Sequence, residues 1–489
     1  MFAADMLRWL LFVITYSSVV FMPPLLQRER DTMNINPAIF RAYDIRGVVG
    51  KTLTADVVRT IGQAACTLYP NSSRVAVGRD GRLSSPEFAQ ALCEGVMAAG
   101  HTAIDIGQCP TPVLYFATHK LDTGAGIMIT GSHNPPDYNG LKLVMDGGKT
   151  LFGDAITEIY ERIQKGDLAR GNGKREVEDL NQLYIERICE DVRLARSLRI
   201  AIDCGNGVAG LVASRLFAQL GCEVTELYCD VDGNFPNHHP NPSQLENLET
   251  LIETVHTRQL DLGLAFDGDG DRVGVIDSEG NVIWADRQMM LYAADVLARN
   301  PGAEIIYDVK SSKHLDEVIA EHGGKPRMWK TGHSFIKSKM KETGALLAGE
   351  MSGHIFFKER WYGFDDGLYA AARLLEIMSK DQRPSSEIFA ALPNAINTPE
   401  IIVDLIEDGA QHAFMRKLVG QADFGEASVS DIDGLRADYP YGWGLVRASN
   451  TTPSLVIRFE ADDESHLSRI QQMFREQLRA VDSGLELPF

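Results

Sequence analysis

Short apolar runs alternate with longer amphipathic stretches along most of this chain, and the alternation repeats three times. The first repeat reads as a strand RVAVG at 74–78, a polar loop RDGRLSS, a helix from Pro86 to Gly100, and a strand TAIDIG at 102–107. The second starts with LRIAID at 198–203, passes through CGNGVAG into a helix ending at Gly221, and returns as EVTELY at 223–228. The third runs from EIIYDV at 304–309 through KSSK and a helix to Gly323 and Gly324, then a strand at 327–329. Helices that open at a proline or polar cap and stop at glycine, between β-rich runs, predict parallel α/β layers joined by crossovers.

The tail follows another rhythm. It predicts a strand IIVDL at 401–405, a helix near 411–419, strands near 428–432, 444–448 and 455–459, and a last helix with Leu467, Ile470, Phe474, Leu478 and Val481 on one face. That is a smaller α+β unit, with 392–398 as its expected hinge. A chain of 489 residues exceeds what one hydrophobic core sustains. The expected division is an extension at 1–33, then domains at 34–177, 178–281, 282–393 and 394–489.

Composition narrows the functional classes. A net charge of -19 repels nucleic acid and anionic membrane, so an anionic substrate needs a local basic cleft. Seven cysteines without a CxxC pair fit neither a disulfide framework nor a zinc site, and read as reduced thiols of a cytoplasmic protein. Residues 9–27 carry no charge, yet Pro23 and Pro24 end the run early, so 1–33 is expected to be a dispensable extension or a misassigned start outside the catalytic fold, with a weak membrane anchor as the competing reading.

Four loops carry candidate chemistry. TGSHNPPDYNG at 130–140 sits between apolar runs at 126–129 and 141–145, and its prolines hold the Ser132 hydroxyl at a strand end. Ser132 is therefore a nucleophile or phosphorylation site, or else part of a plain turn. DGDGDR at 267–272 places Asp267, Asp269 and Asp271 at alternate positions between two strands. Carboxylates this close demand a cation, and all-oxygen ligation suits Mg²⁺. An EF-hand is excluded, because Arg272 stands where that loop needs glycine and Ser278 where it needs glutamate.

GEMSGH at 349–354 presents Glu350, Ser352 and His354, groups suited to sugar hydroxyls with His354 a candidate general base, or else it is a capped connecting loop. Asp365 and Asp366 look like a catalytic pair, but they precede a helix and are read as its cap. RASNTTP at 447–453 joins two strands, and Arg447, Ser449, Asn450, Thr451 and Thr452 can build a nest for a phosphate dianion. A GxGxxG match at Gly205, Gly207 and Gly210, with Asp230 beyond, fits a dinucleotide site or merely a tight turn; the polar RDGR and KSSK of the other repeats favour the turn.

A rigid serine, an acidic loop, a polyol loop and a phosphate nest together describe phosphoryl transfer on a phosphorylated sugar. The same four motifs in this order, opened by FRAYDIRG at 40–47, resemble the α-D-phosphohexomutases, within them the bacterial phosphomannomutase/phosphoglucomutase branch, over residues 34–489.

The resemblance implies three similar α/β domains with mixed, mainly parallel sheets and a smaller C-terminal α+β domain, heart-shaped around one cleft. It implies a phosphorylated Ser132 that is also a metal ligand, Mg²⁺ on Asp267, Asp269 and Asp271, and Arg447, Ser449, Asn450 and Thr451 around the non-transferred phosphate. Glu350 and Ser352 would hold the sugar. Tyr43, Arg46, Lys142, Arg272, Lys310, His333 and His354 would line the cleft, with Arg46, Lys142 and His354 nearest to acid-base and charge-stabilising roles. The implied reaction moves a phosphoryl group between the 1- and 6-positions of mannose or glucose phosphates, with a hexose 1,6-bisphosphate as intermediate and activator. A phosphoglucosamine mutase, a metal-dependent sugar phosphatase and a silent sugar-phosphate binder are the alternatives. The expected enzyme is a cytoplasmic monomer that binds small sugar phosphates, with no nucleic acid and no membrane partner for the catalytic fold.

Overall fold

The computed structural model describes residues 35–69, 74–121, 123–145, 149–407, 409–449 and 452–489; the extension at 1–33 lies outside them. Four sheets follow one another along the chain. The first comprises β1 (Ile45–Val48), β2 (Arg74–Arg79), β3 (Thr102–Gln108), β4 (Ala125–Ile129), β5 (Tyr138–Met145), β6 (Lys149–Thr150) and β7 (Arg175–Val177), ordered β1-β5-β4-β2-β3-β7 with β6 on β5. The second comprises β8 (Arg199–Asp203), β9 (Glu223–Leu227), β10 (Leu262–Phe266), β11 (Val273–Ile276) and β12 (Val282–Ile283), ordered β12-β11-β10-β8-β9. The third is β14-β13-β15-β16, from β13 (Glu304–Asp308), β14 (Lys325–Trp329), β15 (Leu347–Gly349) and β16 (Ile355–Phe357).

These three sheets share one topology. In each, a first strand pairs in parallel with its second and third neighbours in sequence, and the third turns back antiparallel into the fourth: β2 with β3 and β4, then β5; β8 with β9 and β10, then β11; β13 with β14 and β15, then β16. The central strands AGIMI of β4 and LGLAF of β10 are buried at every position, as expected of strands covered on both faces. The repeat read from the sequence is thus a repeat of strand order, and its antiparallel hairpin is where each candidate loop sits.

The tail sheet is wholly antiparallel, with β17 (Ile396–Asn397), β18 (Ile401–Asp404), β19 (Ser428–Ser430), β20 (Leu435–Tyr439), β21 (Gly442–Ala448) and β22 (Ser454–Ala461) in the order β17-β22-β21-β20-β19, with β18 also on β22. Its helix Glu464–Val481 buries Leu467, Ile470, Phe474 and Leu478, capped by Asp463, whose carboxylate accepts from the His466 amide.

Two expectations need correction. Strand β20 was not anticipated, and Ile396 and Asn397 belong to the tail sheet rather than to a free hinge, because both pair with β22. The GxGxxG segment is a tight turn into a 3-10 turn at Val208–Leu211, and the close approach its glycines permit is taken by protein backbone at Gly268 and Cys229. One continuous apolar core runs through the first three units, from Cys109 and Val113 through Phe217 and Phe266 to Leu374. The tail has its own core, and its contacts with the third unit include polar ones such as Arg436 donating to the Val309 and Ser311 carbonyls.

Candidate active site

Ser132 occupies the β4–β5 hairpin with φ of 47°, a left-handed conformation that serine rarely adopts. The strain is held by Arg82. Its guanidinium donates to the carbonyls of Ser132 (2.8 Å), Asn134 (2.6 Å), Pro135 (2.6 Å) and Tyr138 (2.9 Å), and it is buried against Asp80. Asp80 in turn accepts from the Gly131 amide at 2.9 Å and the Ser85 hydroxyl at 2.5 Å. Sequence reasoning passed over this pair as a polar loop, since its partners lie some fifty residues away and are backbone atoms. Arg46 adds a hydrogen bond to the Gly131 carbonyl at 2.9 Å and pairs with Asp44.

The Ser132 hydroxyl donates to Asp267 at 2.9 Å and lies 3.1 Å from His133 Nδ1. Contact between the two loops is close at Gly268, where any side chain would collide with the Ser132 carbonyl. Asp267, Asp269 and Asp271 are fully buried, with ligand oxygens within 4.8 Å of one another. Asp269 accepts from Thr111 at 2.6 Å, Thr130 at 3.1 Å and Lys142 at 2.8 Å, and Lys142 also pairs with Asp271. Burial, with Asp271 and Asp269 alongside, pushes the Asp267 carboxyl up to about 8. Burial would also raise Asp271, but Lys142 and His354 outweigh it and hold that carboxyl well below the usual range. Asp269 Oδ1 is buried with no hydrogen-bond partner, while Asp271 Oδ1, equally buried, is approached by His354 Nε2 at 3.3 Å. Buried carboxylate oxygens without partners are costly, so the donor set fits a hard divalent cation.

The β15–β16 hairpin leans on this acidic loop. His354 Nε2 faces Asp271 Oδ1 at 3.3 Å and Arg272 Nε at 3.2 Å, while its Nδ1 faces Glu350 at 3.3 Å and the Ser352 hydroxyl at 2.9 Å. Burial and Arg272 pull the His354 imidazole down, yet Asp271 and Glu350 carry it up to about 9. His333 stacks on His354 with ring centres 5.6 Å apart, and burial keeps it neutral.

Asp365 and Asp366 part company. Asp366 caps the helix Gly367–Lys380, accepting from the Tyr369 amide at 2.9 Å. Asp365, fully buried, instead pairs with Lys337 at 2.8 Å and lies 3.5 Å from His333 and 4.0 Å from His354. It belongs to the site, which corrects its reading as a cap.

In the tail, Arg447 near the end of β21 pairs with Asp433 at 3.0 Å, and Thr452 donates its amide and hydroxyl to the Ser449 hydroxyl. Asn450 and Thr451 lie outside the described residues. Tyr43 lies beside both Arg447 and Glu350, and Lys310, paired with Glu400 at 2.5 Å, shares the field of Arg447. The structure thus brings Ser132, the three aspartates, Lys142, Arg272, His333, Glu350, Ser352 and His354 into one contiguous cluster, with Tyr43 connecting it to the tail loop.

Known families match all four units. Models described as phosphoglucomutase/phosphomannomutase α/β/α domains I, II and III match residues 37–170, 182–280 and 284–396, and the C-terminal domain model matches 401–477. The chain belongs to the phosphoglucomutase/phosphomannomutase family. Among curated members, a phosphomannomutase/phosphoglucomutase of Pseudomonas aeruginosa is 56% identical over 454 residues, covering 92% of this chain and 98% of that one. A phosphoglucomutase of Neisseria gonorrhoeae is 52% identical, covering 90% and 97%. The crystal structure of a phosphoglucomutase/phosphomannomutase family protein from Burkholderia thailandensis superposes with a TM-score of 0.88 at 50% identity, covering 93% of this chain and all of that one.

Proposed function

We propose that this phosphoglucomutase/phosphomannomutase family member interconverts the 1- and 6-phosphates of glucose and mannose through a phosphorylated Ser132. The observation that carries the reading is the Ser132 hydroxyl, held in a strained left-handed turn 2.9 Å from Asp267 in a buried acidic cluster. Phospho-Ser132 gives its phosphoryl group to the free 6-hydroxyl of a hexose 1-phosphate, whose proton leaves as the new O–P bond forms and the serine O–P bond breaks. The resulting 1,6-bisphosphate turns over in the cleft and returns its 1-phosphoryl group to Ser132, releasing hexose 6-phosphate. Asp267, Asp269 and Asp271, with the serine phosphate, would hold Mg²⁺, which when bound offsets charge on the transferring oxygens.

The other residues act on charge and position. Lys142, Arg46 and Arg272 supply positive charge beside Ser132 in a protein that is otherwise strongly acidic. His354, between Asp271 and Glu350, faces the acidic loop and is the proposed proton-transfer group. Glu350 and Ser352 hold sugar hydroxyls, and Arg447, Ser449, Asn450 and Thr451, with Tyr43 and Lys310, hold the idle phosphate. The separate core of the tail supports its closure over the cleft, which excludes water and suppresses hydrolysis.

The glucosamine alternative is not favoured, since the relatives at 52 to 56% identity carry glucose and mannose names. We also propose domain limits at 34–177, 178–281, 282–393 and 394–489, activation by a hexose 1,6-bisphosphate, and a monomeric cytoplasmic enzyme. Among the described residues no helix is long and apolar enough to cross a membrane. A coupled assay for glucose 6-phosphate formed from glucose 1-phosphate, with Mg²⁺ and catalytic bisphosphate, tests the reading. Release of inorganic phosphate without isomerisation would overturn it.

A further inference from the structure

Two thiols meet directly beneath the acidic loop. Parallel strands β8 and β9 place Asp203 opposite Leu227, and Cys204 and Cys229 follow their ends. Neighbouring strands lie about 4.8 Å apart, a separation that a disulfide spans without moving either backbone far. The two sulfurs are 3.6 Å apart, and the Cys204 amide donates to the Leu227 carbonyl at 3.2 Å, which fixes one strand end on the other. Cys204 is fully buried and Cys229 only partly, so a small oxidant reaches the pair through Cys229.

We propose that Cys204 and Cys229 form a reversible intramolecular disulfide under peroxide, and that this bond slows the enzyme by displacing the backbone under DGDGDR. The Cys229 thiolate attacks one oxygen of hydrogen peroxide, forming a sulfenic acid as hydroxide leaves. The Cys204 sulfur then displaces the sulfenic hydroxyl; its proton departs with that hydroxyl as water, and the two sulfurs together have given two electrons to the peroxide. A dithiol reductant returns both electrons by thiol–disulfide exchange. Sulfur–sulfur contact supports this order of events. It pulls the Cys229 thiol below the usual cysteine range and, with burial, pushes the Cys204 thiol well above it.

Bond formation shortens the sulfur separation from 3.6 Å to about 2.05 Å. The path upward has no slack. The Cys204 carbonyl accepts from the Gly207 amide at 2.6 Å, and the Val208 amide donates to the Gly268 carbonyl at 3.1 Å. A methyl group on Gly207 would lie 3.0 Å from the Gly268 Cα, and Gly268 itself abuts the Ser132 carbonyl. Close-packed backbone passes such a displacement on rather than absorbing it.

The test uses the full-length purified chain, treated with hydrogen peroxide, alkylated and examined by intact and peptide mass spectrometry beside the mutase assay. The expected result is a species lighter by about 2 Da before alkylation, which then takes up two fewer alkyl groups than the untreated protein and yields a peptide linking Cys204 to Cys229. The rate should fall by at least about fivefold and recover with dithiothreitol. Cys229→Ser should resist both changes, and Cys204→Ala should also abolish the linked peptide. Full alkylation of Cys204 and Cys229 after peroxide, or oxidation confined to Cys189, overturns the bond. A linked peptide with an unchanged rate, or equal loss of rate in Cys229→Ser, overturns its effect on catalysis.

Discussion

Replacing Arg82 by lysine keeps a positive charge beside Asp80 but removes the fork that spans the Ser132 loop. Two guanidinium nitrogens now reach four carbonyls on residues 132, 134, 135 and 138. One ammonium group cannot face all four, and two or more of these carbonyls lose a charged donor. At about 1.5 kcal/mol for each such bond, with partial replacement by water, Arg82→Lys should destabilise the protein by about 2 to 4 kcal/mol. Arg82→Ala should be worse, because it leaves the Asp80 carboxylate buried and unpaired at a cost of about 3 to 5 kcal/mol. Catalysis should suffer separately from folding. With the loop relaxed out of its left-handed turn, the hydroxyl shifts relative to Asp267, and kcat should fall by about a hundredfold. KM should stay within about twofold, since Arg82 is not among the proposed phosphate or sugar contacts. Thermal unfolding and the glucose 1-phosphate assay, run on the same preparation, measure both effects. An Arg82→Lys enzyme with wild-type kcat and wild-type melting would refute the claim that this guanidinium positions the nucleophile.

Asp269→Asn should lower kcat by at least about a hundredfold with a smaller change in KM, while Arg447→Ala should mainly raise KM, by about 1.5 to 3 kcal/mol of lost phosphate binding; steady-state kinetics separates the two. Because turning a hexose by half a revolution roughly exchanges its 3- and 4-hydroxyls, a loop reading that pair through Glu350 and Ser352 should accept glucose and mannose 1-phosphates within about tenfold in kcat/KM and reject galactose 1-phosphate by about a hundredfold or more. A gluco-to-manno ratio beyond about a thousandfold would show that the 2-position is read. Burial pushes the Asp366 carboxyl up to about 7 from its ordinary 3.8, so the folded state holds more protons than the unfolded state in that window, and this group's contribution makes stability fall as pH rises from about 4 to 7. Asp366→Asn should flatten that part of the melting-temperature profile, and an unchanged slope would assign the effect elsewhere.

Residues whose chemistry is concentrated in a short stretch were the legible ones. DGDGDR announces a cation because three carboxylates crowd into five positions, and the structure does bury all three together. The threefold repeat was visible because fully buried strands such as AGIMI leave continuous apolar runs. Arg82 was not legible, since nothing in RDGR says that its partners are carbonyls of a loop fifty residues on. Asp365 was misread because the capping rule fits a pair of aspartates equally well, and only packing separates the one that caps from the one that meets Lys337. Strand β20 was missed although LRADY alternates apolar and charged positions as a half-buried strand does. Arg436 is buried, stacked 3.9 Å over the Trp443 ring, at the contact with the third unit.

The central claim is that Ser132 carries and passes on the transferred phosphoryl group. Protein phosphorylated on Ser132, freed of excess bisphosphate, is mixed with a stoichiometric amount of glucose 1-phosphate and Mg²⁺, quenched at intervals, and read by intact mass and by the phosphate content of the sugar. The account predicts that the Ser132 phosphate leaves as glucose 1,6-bisphosphate appears in equal amount, that glucose 6-phosphate follows as the serine is rephosphorylated, and that Ser132→Ala does none of this. Transfer of the serine phosphate to water, or isomerisation at the wild-type rate by Ser132→Ala, would contradict it.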